Sequence, residues 1–344
     1  MAFDPDAAAA PGTGIFGLPF GRSESSVILL PVPFDATTSY ARGTSNGPAA
    51  IFDASTQVDL YDRRFGKIYE KGIFMEDEDG TISDLNGRAC KAADPIIAAA
   101  GRDNMDDKAA ADRLLKEVAQ ACEAVNTFTY NHTKGVLAEG KIPGLIGGDH
   151  STPFGAIKAC AEHASAGGGG GLGILHFDAH MDLRDAFEGF AWSHASIMHN
   201  VMSRIGGVNA LVQVGIRDFG ERELTFGKGR GVAVFYDDVI EQRLMEGDKF
   251  SGIVKEIIDR LPDKVYISVD IDCLHPSLCP HTGTPVPGGL TFNQVVLILE
   301  ALKKSGKSVI GFDLVEVAPG ESGPEWDANV GARMLYKLCG TVGE

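Results

Sequence analysis

The sequence predicts an α/β protein built around a mainly parallel central sheet, and three observations predict it. Short, continuously apolar runs rich in Val, Ile, Leu and Phe recur along the 344 residues; segments of helical periodicity fall between them; and glycine, at 43 residues, punctuates the transitions. A strand covered on both faces reads as an unbroken apolar run, whereas a half-exposed strand alternates apolar with polar. Strand–helix alternation sustained over most of a chain builds one domain around a parallel sheet.

Residues 1–25 read as a flexible tail, and 26–344 as a single domain. The opening MAFDPDAAAAPGTGIFG lacks the basic start and apolar core of a secretory signal. Gly12 to Gly17 fits GxGxxG, but no strand precedes it and Pro19 closes it in place of a helix, so it is not a dinucleotide fingerprint. Strands are expected at Ser26–Val32, Lys141–Ile146, Gly173–Phe177, Ala210–Gly215, Val232–Tyr236, Lys264–Val269 and Ser308–Phe312. Helices are expected at Pro48–Ser55, from Asp107 to about Lys134, and at Thr152–His163, Ser193–Arg204, Ser251–Leu261, Thr291–Ser305 and Asp327–Cys339. The polar stretch at about 61–106 reads as an irregular insertion. The five glycines Gly167–Gly171 read as a flexible connection, since no Gly-Lys-Ser/Thr follows them.

Charge excludes two classes of partner. Thirty-one Lys and Arg against 47 Asp and Glu leave a formal charge of −16, the wrong sign for nucleic acid or an anionic membrane surface. No apolar run approaches the roughly 20 residues of a spanning helix. The six cysteines are scattered without a CxxC pair, which suits a reducing, cytoplasmic setting better than a disulfide framework.

The chemistry concentrates at three strand ends. His176-Phe177-Asp178-Ala179-His180-Met181-Asp182 begins inside an apolar strand and runs past its C-terminal end, where open α/β sheets bind their ligands. In extended chain, Asp178, His180 and Asp182 point to one side. Two carboxylates and an imidazole converging there are costly to bury without a cation. Gly147-Gly148-Asp149-His150-Ser151 and Asp270-Ile271-Asp272 repeat the pattern. Alone, the first also reads as a turn with a helix cap and the second as a solvated strand end. The six side chains His150, Asp178, His180, Asp182, Asp270 and Asp272 carry four negative charges, which two divalent cations would balance. Mixed oxygen and nitrogen donors suit Mn, Fe, Co, Ni or Zn rather than Ca or Mg. Two such ions generate a nucleophilic hydroxide near neutral pH, so metal-assisted hydrolysis is the expected reaction class.

With Pro33-Phe34-Asp35, Gly43–Pro48 and the late segment Gly311–Pro319 (GFDLVEVAP), these motifs make the chain resemble the ureohydrolases, the arginase and agmatinase family, over nearly its whole length. The resemblance implies a three-layer α/β/α fold and a dinuclear site, most often manganese, with nickel an alternative. It implies that His150, Asp178, Asp182 and Asp270 hold one metal and Asp178, His180, Asp270 and Asp272 the other, Asp178 and Asp270 bridging. It also implies that His194 shuttles a proton, that Glu316 binds the substrate guanidinium, and that the chain forms trimers or hexamers.

The stretch Leu183 to Ser193 departs from the arginase pattern, and Ser193-His194-Ala195-Ser196 is closer to agmatinase-like members. The expected substrate is a small guanidino compound: agmatine, guanidinobutyrate, free guanidine, or an alkylated guanidine or biguanide. Arg184 follows DAHMD as in some formiminoglutamases and reads either as a grip on a substrate carboxylate or as a partner of Asp185 or Glu188. Trp192, with Phe187 and Phe190, reads as pocket wall or as loop packing. His281 reads as a substrate contact. A formiminoglutamase-like or deacetylase-type metal hydrolase, or a non-catalytic subunit paired with an active paralogue, are the alternatives.

Overall fold

Each apolar run becomes a strand because its side chains are covered from both sides. In the computed structural model, which describes residues 3–10, 12–166, 170–320 and 326–343, the elements follow in this order: β1 (Val27–Val32), α1 (Gly47–Ser55), β2 (Ile73–Met75), α2 (Gly80–Ala98), α3 (Lys108–Ala138), β3 (Ile142–Gly147), α4 (Phe154–Ala166), β4 (Leu172–Phe177), α5 (Ile197–Arg204), β5 (Val208–Ile216), α6 (Glu221–Arg230), β6 (Ala233–Tyr236), α7 (Asp237–Met245), α8 (Phe250–Asp259), β7 (Lys264–Asp270), α9 (Phe292–Lys304), β8 (Ser308–Val315) and α10 (Trp326–Thr341). The strands form one sheet in the order β2-β1-β3-β8-β7-β4-β5-β6. Every pairing is parallel.

Alternate residues of each strand feed different layers. Leu175, Phe177, Ile267 and Val269 pack with Ile51 of α1 and the apolar faces of α8, α9 and α10. Leu172, Ile174 and Tyr266 face α4 and α5, and Leu30, Val32 and Leu145 face α2 and α3. The result is a three-layer α/β/α arrangement. Among the described residues, no helix is long and apolar enough to cross a membrane.

Three expectations need correction. The stretch at about 61–106 is not irregular, since it contains β2 at the sheet edge and the 19-residue α2. The buried face of α2 is Ile82, Ala89, Ala92, Ala93 and Ile96. Alanines are too small to stand out as an apolar stripe among Asp, Arg and Lys. Nor does the expected tail at 1–25 run free throughout, because Ile15, Phe16 and Leu18 are at most 2% exposed in the main core. Helices α6 and α7 were not expected; their buried residues are few and polar neighbours dominate. Of the five-glycine connection, residues 167–169 lie outside the described residues.

Candidate metal centre

In an all-parallel sheet every strand delivers its C-terminal end to the same edge. The four central strands β3, β8, β7 and β4 are neighbours, and their ends carry His150, Glu316, Asp270 with Asp272, and Asp178 with His180 and Asp182. The β3 end turns on Gly148, where a Cβ would stand 2.1 Å from the Phe34 carbonyl oxygen. That close approach swings His150 over the sheet edge. Asp182 (φ 53°) and Glu316 (φ 63°) hold left-handed backbone without being glycine. Such strain persists where surrounding structure over-determines it, and it gathers at functional sites.

The six expected ligand residues converge. His150 Nδ1 lies 3.1 Å from Asp178 Oδ2, 3.2 Å from Asp182 Oδ2 and 3.3 Å from Asp270 Oδ2. His180 Nδ1 lies 3.0 Å from Asp272 Oδ2 and 3.4 Å from Asp178 Oδ1. Asp178 therefore offers one oxygen to each group. The donor atoms of His150, His176, Asp178 and Asp182 fall within 4.8 Å of one another, as do those of Asp178, His180 and Asp272. His176, from the same strand end, also stands at the cluster, with Nε2 2.9 Å from Asp178 Oδ2.

The electrostatics of this cluster ask for a cation. Burial, followed by the Asp178 charge, pushes the Asp182 carboxyl up to about 7. Burial, then Asp272 and Asp178, drives Asp270 well above the carboxylate range. Burial works to lower His150, but the facing carboxylates of Asp178, Asp182 and Asp270 outweigh it and raise it well above its ordinary value. His150 Nδ1, Asp178 Oδ2 and Glu316 Oε2 are buried without hydrogen-bond partners. Buried polar groups are rarely left so, and the donor set of carboxylates and imidazoles fits two divalent ions.

Beneath the ligands runs a polar row of which only His176 stood out in the sequence. Gln213, His176, Ser268 and Asp313 are paired across β5, β4, β7 and β8, and all are fully buried. Gln213 Nε2 sits 3.0 Å from His176 Nδ1 and donates to the Met181 carbonyl at 2.7 Å. Ser268 Oγ lies 3.0 Å from His150 Nε2 and donates to Asp313 Oδ1 at 2.9 Å. Polar residues inside otherwise apolar strands were the signal available.

A cavity of about 490 Å³ opens beside the cluster, lined by His180, Asp182, Arg184, Phe187, His194, Asp218 and Glu223 among others. Burial, then the neighbouring His180 charge, pushes His194 down to about 4. Glu316 Oε1 accepts the His150 amide at 2.9 Å, which leaves Oε2 unengaged. Arg184 pairs with neither Asp185 nor Glu188. Its Nε lies 3.4 Å from Glu223 Oε2, and its guanidinium lies 4.8 Å from the Phe187 ring centroid.

Two expected pocket residues point elsewhere. Trp192 packs edge-on against Phe154 and under Arg204, at the junction of the α2–α3 and α4–α5 cores. His281 ties its loop to the start of α10, with its amide and Nδ1 on Asp327 at 3.0 and 2.9 Å. Neither lines the cavity.

The sequence profile of the arginase family matches residues 25–340. An N(1)-aminopropylagmatine ureohydrolase of Thermus thermophilus is 34% identical, over 93% of this chain and 91% of that protein. An agmatinase of Bacillus anthracis is 29% identical over 86% of this chain and 84% of its own length. The crystal structure of an agmatine ureohydrolase of Thermoplasma volcanium superposes with a TM-score of 0.68, covering 94% of this chain and 91% of that one at 23% identity, which speaks to the fold.

Proposed function

This chain belongs to the arginase family, and from that premise we propose that His150, Asp178, His180, Asp182, Asp270 and Asp272 hold the two divalent ions of its reaction. It is an agmatinase-like, metal-dependent ureohydrolase that cleaves a guanidino C–N bond to give urea and an amine. The observation that carries the ligand assignment is His150 Nδ1 facing three carboxylates with no hydrogen-bond partner. His150 and Asp182 would hold one ion and His180 and Asp272 the other, with Asp178 and Asp270 near enough to serve both. When bound, such a pair of ions supplies Lewis acidity and makes hydroxide available near neutral pH.

The chain's own groups handle the substrate. Glu316 Oε2, buried and unengaged, accepts guanidinium N–H bonds, and carboxylate–guanidinium pairing fixes the plane of the group. His194, on the cavity wall, delivers the proton that lets the amine leave, the ordinary task of a positioned imidazole.

The substrate is a guanidine with a cationic tail, agmatine or an aminopropyl derivative as in the relatives' names. What supports this is the outer cavity, where Asp218 and Glu223 are present and Arg184 is engaged by Glu223. A guanidino acid held by Arg184 is the second reading, favoured by the 41% exposure of that side chain. Manganese is the metal, with nickel able to replace it. The protein assembles as a trimer or hexamer in the cytoplasm, where its six unpaired thiols stay reduced.

Urea release from agmatine, aminopropylagmatine, arginine, 4-guanidinobutyrate, free guanidine and methylated guanidines, on protein loaded with manganese or nickel, tests the reading. Turnover of the diamines above the rest supports the cationic tail, and preference for guanidinobutyrate would reverse it. Silence with two metals bound would sink the guanidino assignment.

A further inference from the structure

Asp149, the centre of Gly-Gly-Asp-His-Ser, is fully buried, and both its oxygens are engaged by Thr37 and Ser151. Its carboxylate accepts four hydrogen bonds. Oδ2 takes the Thr37 amide at 3.0 Å and the Thr37 hydroxyl at 2.8 Å. Oδ1 takes the Ser151 amide at 3.0 Å and the Ser151 hydroxyl. Four donors leave no orientation in which an asparagine amide would be satisfied.

Thr37 has a second task. While its hydroxyl proton goes to Asp149, its oxygen accepts the His194 amide at 3.1 Å. Thr37 itself cannot drift, because Asp35 Oδ2 holds the far side of the same loop through the Gly43 and Ser45 amides at 3.0 and 3.1 Å. The turn that carries Asp149 also carries His150, whose amide binds Glu316, and Gly148, whose carbonyl accepts the Glu316 amide at 2.8 Å. One turn therefore links the guanidinium carboxylate of Glu316, through Gly148 and His150, to the Thr37 tether on the His194 amide.

We propose that Asp149, acting through the Thr37 hydroxyl, is the positioning residue that holds His194 in register with Glu316 and the metal ligands. This rests on the proton-delivering role given above to His194. A displacement of about 1 Å at such a group costs on the order of 100-fold in rate, so the tether acts on turnover rather than on binding.

The test compares the full-length, metal-loaded protein with Thr37→Val, Thr37→Ser and Asp149→Asn. Metal content, kcat and KM for the best substrate of the panel, and hydrogen exchange at the His194 amide are measured. In Thr37→Val, metal content and KM should stay within about twofold, kcat should fall on the order of 10- to 100-fold, and the His194 amide should exchange faster. Thr37→Ser should restore both, and Asp149→Asn should behave as Thr37→Val. If Asp149→Asn does not fold, the Thr37 pair decides. Unchanged kcat or unchanged exchange in Thr37→Val would overturn the proposal, as would a kcat loss that serine does not rescue. A wild-type protein that releases no urea would defeat the functional reading, while the exchange measurement still judges the tether.

Discussion

Two rows of side chains cross the sheet side by side, one residue apart, and they are buried on opposite terms. Val212, Leu175, Ile267 and Phe312 are paired across β5, β4, β7 and β8 and face α8, α9 and α10. The next row, Gln213, His176, Ser268 and Asp313, sits on the other face. No residue of either row is more than 1% exposed. The apolar row gains by leaving water. The polar row incurs a desolvation cost, which it recovers only through its hydrogen bonds and the ligands it supports. Equal burial therefore says nothing about purpose; satisfaction of polar atoms does. Asp313 Oδ2 and His176 Nε2 remain without hydrogen-bond partners, whereas the apolar row has no such debt.

The contrast breaks first at the ligand layer. Asp178→Ala should reduce urea release by on the order of 1,000-fold or more, since it removes the carboxylate common to both groups. After chelation the same variant should melt no lower than the wild type, because one buried charge is gone. A large stability loss in the metal-free variant would contradict the view that this layer is built for a cation.

In the apolar row, Ile267→Ala should cost about 2–5 kcal/mol of stability, the usual range for a buried Ile truncated to a cavity. Denaturant titration measures it, and kcat of the folded fraction should not change. Ser268→Ala, its neighbour, should do the reverse. Losing the support of His150 Nε2 should weaken metal binding by about 10- to 100-fold, with activity recovered at saturating metal. A kcat that stays low at saturation would show that Ser268 does more than orient a ligand.

The smallest effect is one of pH. Burial raises Asp313 to about 6, above the roughly 3.9 of an unfolded chain. Between those values folding takes up a proton, so the ionised group lowers stability above pH 6, and the loss fades as pH falls towards 4. In chelated protein, Asp313→Asn should therefore gain most over the wild type near pH 7 and least near pH 4. Melting curves across that range would show a constant gap if Asp313 does not titrate there.

The sequence carried the ligand-bearing strand ends well, because three segments holding Asp or His each follow an apolar run; the extended geometry it implied stops at Phe177, and Asp182 and Asp272 reach the cluster through a left-handed residue and a 3-10 turn. It carried α2 poorly, since a stripe of alanine has almost no hydrophobic contrast. Trp192 stayed open between two readings and His281 faced away from the cavity for a related reason: an aromatic or imidazole near a motif has no pattern that says which way it faces, and only packing against Phe154 or Asp327 decides. Thr37 lies 157 positions from His194, so no local signal joins them. Gln213, Ser268 and Asp313 were visible as polar letters inside apolar runs, but their alignment exists only through strand register.

The insertion of β8 between β3 and β7 has a consequence for the order of birth. Among the described residues the last of the eight strands in chain order is a central one, and it joins the pairs that begin at β3 and at β7. A ribosome that has not yet released Glu316 has already produced every proposed metal ligand, yet β3 and β7 have no strand between them. Until β8 arrives, each half exposes an unpaired strand edge, the kind of surface on which incomplete chains aggregate. Assembly of the catalytic edge thereby waits on β8, and a chain cut short before it carries the ligands without the frame that unites them.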